Sequence, residues 1–177
     1  MAKITIFGMA GTGKGTAVNI LKEKLGYKSF SGGDFARHTA EKMGLTLLEL
    51  DELSKTDSSI DIERDKVISE FGKNNDNFVV EARLAWHFIP DSFKICFVCD
   101  FDERTMRIAR REYKDIEVVR SETIQREKSI YERFEKYYGI KDFENLSHFD
   151  LVIDTTHISP EEIVKMIIDN LKAKNLI

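Results

Sequence analysis

The sequence predicts an α/β fold in which a five-stranded parallel sheet lies between two layers of helices, and two observations carry that expectation. Short runs rich in Ile, Val and Phe recur at KITIF (3–7), YKSFS (27–31), FVVE (78–81), FKICFVC (93–99) and LVID (151–154), with segments of helical periodicity between them. Strands that alternate with helices call for parallel crossovers. The second observation is GMAGTGKGT, residues 8–16, a glycine-crowded turn placed directly after the first strand-like run.

Each element has its own local reason. The first helix starts inside the glycine turn and carries Ala17, Val18, Leu21 and Leu25 at helical spacing before Gly26 ends it. Thr46 with Glu49, and Ser159 with Glu162, have capping-box spacing, the latter with Pro160 at the first helical position; Gly44, Gly72 and Gly139 read as helix stops. Asp34 reads as the cap of a helix that follows the second strand. A helical insertion runs from Asp34 to Gly72, and a second, dense in arginine, from Asp102 to Gly139. Neither has linker composition, so the chain 1–177 reads as a single domain.

Length and charge narrow the function classes. A chain of 177 residues buries roughly 70% of its unfolded surface, enough for one core. Its formal net charge of -4 argues against a nucleic-acid polymer as partner, because phosphate backbones are bound by excess Lys and Arg. No apolar run reaches membrane-spanning length and the N-terminus enters a strand directly, so a cytoplasmic, monomeric protein is expected. Cys96 and Cys99 form C-x-x-C within a strand-like run, where residues three apart face opposite ways; buried thiols are expected rather than a redox or zinc pair. His38, His87, His148 and His157 lack ligand spacing, and no metal cage is assigned.

The glycine turn carries the chemistry. Gly-x-x-x-x-Gly-Lys arises by chance in about one such chain in twenty, but here it joins a strand to a helix, which aims backbone N–H groups and a helix N-terminus at an anion. Lys14 reaches the terminal phosphates as a point charge. The commonest loop has a hydroxyl directly after the lysine, to bind magnesium; here that position is Gly15 and Thr16 follows. In this the chain resembles the nucleoside monophosphate kinases, whose loop ends Gly-Lys-Gly-Thr. SGGDFAR, EARLA, ERTMRIARRE, QREKSIYERFEKYYGI and FDLVIDTT extend the resemblance to the cytidylate kinases, of the short archaeal type, over nearly the whole chain.

The resemblance implies a P-loop NTPase fold of three α/β/α layers, with a helical acceptor-binding lobe at about 34–72 and a short lid at about 104–126. It implies ATP bound by Gly8, Met9, Ala10, Gly11, Thr12, Gly13, Lys14, Gly15 and Thr16. Magnesium would be held through nucleotide and water near Thr16 and Glu81 rather than by direct ligands. Glu81 is followed by Ala82 where related kinases have glycine. The implied activity is transfer of the ATP γ-phosphate to CMP or dCMP. Another small-molecule kinase, of adenylate or shikimate type, and a nucleotide-binding protein without turnover stand as alternatives.

Seven of the ten arginines fall between Arg104 and Arg133. Arg104, Arg107 and Arg111 occupy i, i+3 and i+7, one helical stripe, and arginine suits bidentate phosphate binding. The alternative is a solvated helix laced with ion pairs to Glu103, Glu112, Glu127 and Glu132, and spacing alone leaves it open. By resemblance Arg107, Arg111 and Arg126 act with Lys14 in catalysis, while Arg37 and Arg83, each after a strand, grip the acceptor phosphate. Cytosine needs a carboxylate or carbonyl acceptor beside a donor, and IDIERD places Asp61, Arg64 and Asp65 on one helical side; Asp61 and Asp65 are the candidate base readers.

Overall fold

The computed structural model describes residues 2–177. Five strands, β1 (Lys3–Phe7), β2 (Lys28–Ser31), β3 (Phe78–Glu81), β4 (Phe93–Val98) and β5 (Leu151–Asp154), form the expected parallel sheet in the order β2-β3-β1-β4-β5. The chain leaves β1 for the edge strand β2 and returns through β3 to β1's flank. It then crosses β1 to add β4 and β5. That reversal beside β1 opens a crevice at the carboxyl ends of the strands, where open α/β sheets bind ligands.

The helices are α1 (Lys14–Leu25), α2 (Gly32–Met43), α3 (Leu47–Leu53), α4 (Ser59–Asn74), α5 (Ala85–Phe88), α6 (Phe101–Glu112), α7 (Ile116–Tyr138) and α8 (Pro160–Ala173). Strand alternation divides the core between the two sheet faces. Ile4, Ile6, Val79, Ile95 and Phe97 pack with Ala17, Val18 and Leu21 of α1 and with Ile163, Val164 and Ile167 of α8. On the other face Phe7 and Cys96 meet Ile130 and Phe134 of α7, and Phe78 and Val80 meet Ile68 of α4. Thr5, a buried polar residue of β1, is satisfied by Ser92 at 2.8 Å between hydroxyls. Among the described residues, no helix is long and apolar enough to cross a membrane.

Both capping boxes are present, at Thr46–Glu49 and Ser159–Glu162, and Gly26, Gly44 and Gly139 close their helices in the left-handed conformation. Three local expectations are corrected. Gly72 does not stop α4, which runs on to Asn74; a Cβ there would lie 2.8 Å from Cγ1 of Ile89, so this glycine lets α4 pack close to the segment after α5. Asp34 is not the cap of α2, because Ser31 already supplies the hydroxyl that accepts from the Asp34 N–H, which places Asp34 in the first turn. Cys99 lies past the end of β4 and is half-buried, whereas Cys96 is buried as expected.

Candidate active site

The glycine turn is shaped by its neighbours as much as by its own residues. Gly11 takes φ +83°, and a Cβ on it would fall 2.5 Å from the Arg104 carbonyl oxygen, so the turn lies directly on the backbone of α6. The Thr12 hydroxyl donates to the Met9 carbonyl at 2.9 Å, and the Thr155 hydroxyl donates to the Thr12 carbonyl at 3.0 Å, tying the turn to the end of β5. Gly13, at φ +88°, begins α1 without a side-chain cap, and the first turn of α1 holds no acid. The other described helices longer than one turn each carry one there. Uncapped N–H groups, a helix dipole and clear space above Gly15 make a cradle for phosphate oxygens.

Lys14 lies folded back over the turn, its Nζ donating to the Met9 carbonyl at 2.9 Å. Burial pulls its pKa down to about 8; Glu81 works against that shift, and Arg83, Arg104 and Arg111 add to it. Glu81, at the end of β3, accepts from the Ser31 hydroxyl, so one acid touches both the lysine's field and the cap of α2. Among the described residues, no three His, Cys, Asp or Glu side chains gather into a metal cage.

A cleft of about 510 Å³ runs from this turn into the space enclosed by α2, α3 and α4. Leu47, Leu50, Ile60 and Phe35 give it apolar walls, and Arg37, Arg64, Arg83, Arg111, Arg126 and Arg133 reach it from five different segments. Arg83 differs from the rest: among the described residues it has neither a hydrogen bond nor an ion pair, with its Nε buried, and burial together with Arg126 lowers its pKa to about 10, Asp51 opposing. An unpaired guanidinium held in that environment is a site for an anion.

The other cleft arginines are already engaged. Arg37 pairs with Asp34 at 2.6 Å on the surface of α2, and Arg111, exposed, pairs with Glu112 at 2.8 Å. Arg126 Nε donates to Asp51 at 2.5 Å, and Arg133 joins Asp51 at 2.8 Å and Asp61 at 2.6 Å. Arg64 bridges Asp61 and Asp65; burial alone would lower its pKa, yet these two acids hold it above its ordinary value. The expected base readers therefore separate. Asp61 lines the cleft as part of this network, whereas Asp65 does not and is held from behind by Arg64 and the Tyr138 hydroxyl.

The arginine stripe of α6 also separates. Arg104 is buried beneath the turn, bonded to the Ala10 carbonyl at 3.1 Å and to Glu127 at 2.7 Å. Arg107 lies beside Gly13 of the turn, donating to the carbonyls of Thr155 and Thr156 and pairing with Glu103, and only Arg111 of the three lines the cleft. Sequence reasoning missed Asp51, the carboxylate that gathers Arg126 and Arg133. In LLELDEL it is one of three acids at the positions left by buried Leu50 and its partners, with no local mark to distinguish it.

Residues 4–128 match the AAA domain family. The chain is 37% identical over 169 residues to a cytidylate kinase of Methanobrevibacter smithii, covering 96% of this chain and 98% of the relative. It is 37% identical over 158 residues to a cytidylate kinase of Methanothermobacter thermautotrophicus, covering 89% and 98%. Among solved structures, shikimate kinase of Aquifex aeolicus superposes over 98% of each chain with a TM-score of 0.57 at 16% identity, a likeness of fold alone. A phosphate-cradling turn on a parallel sheet, facing a cleft supplied with arginine, together with full-length relatives of this kind, shows that the chain belongs to the cytidylate kinase family of P-loop phosphotransferases.

Proposed function

We propose that this protein transfers the γ-phosphate of ATP to CMP or dCMP. The observation that carries the reading is Arg83, an unpaired, largely buried guanidinium facing the same cleft as Lys14 and the uncapped end of α1. One anion would occupy the turn, and a second would be drawn to Arg83 and, from the rim, Arg37. The apolar walls from Leu47, Leu50, Ile60 and Phe35 would take a flat base, with the Asp61–Arg64 pair at the inner end offering acceptor and donor. In this reading residues 34–72 form the acceptor-binding lobe and 104–126 the lid.

An acceptor phosphate is already anionic near neutral pH, so no strong general base is required: its oxygen bonds to the γ-phosphorus as the bond to the β,γ-bridging oxygen breaks, and ADP leaves. This chain's contribution is position and fixed charge. Lys14 and the turn amides hold the donor phosphates. Arg111 and Arg126, reaching the cleft, and Arg107, beside the turn, would close on the transferring group. Magnesium carried on the nucleotide would neutralise phosphate oxygens, with Thr16 and Glu81 facing it from the cleft wall.

The test is a panel of acceptors, CMP, dCMP, UMP, AMP and shikimate, offered with MgATP in a coupled ADP-release assay. Turnover with CMP and dCMP well above the others is expected. Preferred turnover of AMP or shikimate overturns the assignment, and ATP binding without transfer to any of them favours a binding protein.

A further inference from the structure

We infer that Asp51 is a selectivity residue, an internal anion that occupies Arg126 and Arg133 so that a bare phosphate cannot recruit them and a nucleotide acceptor can. The inference rests on reading this cleft as the acceptor site. Asp51 reaches from α3 across to α7, giving Oδ2 to Arg126 at 2.5 Å and Oδ1 to Arg133 at 2.8 Å. Its backbone carbonyl also accepts from the Ser129 hydroxyl of α7 at 3.2 Å. Its side chain is 13% exposed and that exposed part lines the cleft.

The two arginines depend on it unequally. Arg133 has a second carboxylate in Asp61, whereas Asp51 is the sole hydrogen-bond and ion-pair partner of Arg126 among the described residues. Arg126 is thus the guanidinium that Asp51 withholds. Without Asp51, Arg83 and Arg126 would both present uncompensated charge to the same space, and any phosphate-sized anion would gain from both. With it, an incoming anion meets Arg83 first and must displace a carboxylate to reach Arg126. A nucleoside monophosphate has a further source of binding energy for that exchange, the base and sugar contacts along Leu47, Leu50 and Ile60, and inorganic phosphate has none. Asp51 would therefore keep the donor phosphoryl group from a bare phosphate acceptor.

The experiment titrates inorganic phosphate, by calorimetry, into protein saturated with a non-hydrolysable ATP analogue and magnesium, which fills the glycine turn. Asp51→Asn should bind phosphate roughly tenfold more tightly or better, about 1.4 kcal/mol, and Asp51→Glu, which retains the charge, should stay close to the parent protein. A loss of packing or order alone would weaken phosphate binding and cannot produce a gain. Unchanged or weaker binding by Asp51→Asn overturns the inference. Should that variant not fold, Asp51→Asn with Arg126→Gln removes the pair together; tighter phosphate binding by the double variant would overturn it equally, since the withheld charge is then absent. No acceptor nucleotide enters these titrations, so a negative result here is separable from a negative acceptor panel.

Discussion

Replacing Arg83 by Gln should raise the stability of the free protein while removing most of its activity. Among the described residues the guanidinium forms no ion pair that the substitution would break, and its Nε is buried without a partner. Burial lowers its pKa from 12.5 to about 10. Near neutral pH the group is charged in both folded and unfolded chains, so this depression destabilises the fold by up to about 3 kcal/mol. The cleft is open to water, and the screened value is nearer 1–2 kcal/mol, roughly. For a protein of this size that corresponds to a rise in Tm of about 2–8 °C. In the proposed reading Arg83 contacts the acceptor phosphate, and losing one partner of such a charge-assisted contact costs about 2–5 kcal/mol, a fall in kcat/KM of roughly 30-fold to several thousandfold. Differential scanning calorimetry and the coupled assay measure the two effects. A lower Tm accompanied by unchanged kcat/KM would refute the reasoning, because it would make Arg83 a structural residue.

Lys14 titrates in an accessible range. With its pKa lowered to about 8 from 10.5, the free protein loses this charge as pH rises through about 8, and the Kd for an ATP analogue should rise there in the parent protein but stay flat in Lys14→Met. The sign for stability is the reverse: the unfolded chain holds the proton up to about pH 10.5, so this residue's unfavourable contribution fades between pH 8 and 10.5, and urea unfolding should show it. Arg107→Ala and Arg111→Ala should each lower kcat by roughly 10³-fold or more; a change below tenfold in the same assay, about 1.4 kcal/mol, would return both to ordinary surface. Gly11→Ala combines a left-handed φ with a Cβ 2.5 Å from the Arg104 carbonyl, and should cost about 2 kcal/mol or more by calorimetry. Gly15→Ala meets nothing within 4 Å, and should leave Tm unchanged or slightly raised while weakening binding of the ATP analogue.

What the sequence made legible is what local physics decides. The five strands, the glycine turn and the two capping boxes depend on residues within a few positions of one another, and each is present. Gly72 was misread because a glycine late in a helical run signals a stop, while its actual constraint, the Ile89 side chain, comes from another segment. The α6 stripe illustrates the same limit. Three arginines on one helical side share an orientation, yet the elements packed around α6 differ along its length. Arg104 meets the turn and α7, Arg107 meets the end of β5, and Arg111 meets the open cleft. Asp51 was not legible at all, since its partners Arg126 and Arg133 lie 75 and 82 residues away.

The distribution of charge around the cleft has a single physical logic. Most of its cations are matched: Arg126 and Arg133 by Asp51, Arg64 by Asp61 and Asp65, Arg37 by Asp34. Among the described residues, Lys14, whose nearest partner is a neutral carbonyl, and Arg83 and Lys22 have no ion pair. Lys14 and Arg83 are also the cleft groups whose pKa values are driven down, to about 8 and about 10. Arg83 adds to the lowering at Lys14, so the strain of uncompensated positive charge is concentrated between the glycine turn and the Arg83 end of the cleft, the place where, in the proposed reading, a phosphoryl group in transit would be flanked by both. An anion bound at either end relieves part of that strain, and negative charge spread between the two ends relieves the most. In the proposed reading, fixed charges left unsatisfied at that one place would favour the transition state over either bound nucleotide alone, which is how a site built from position and electrostatics raises kcat rather than affinity.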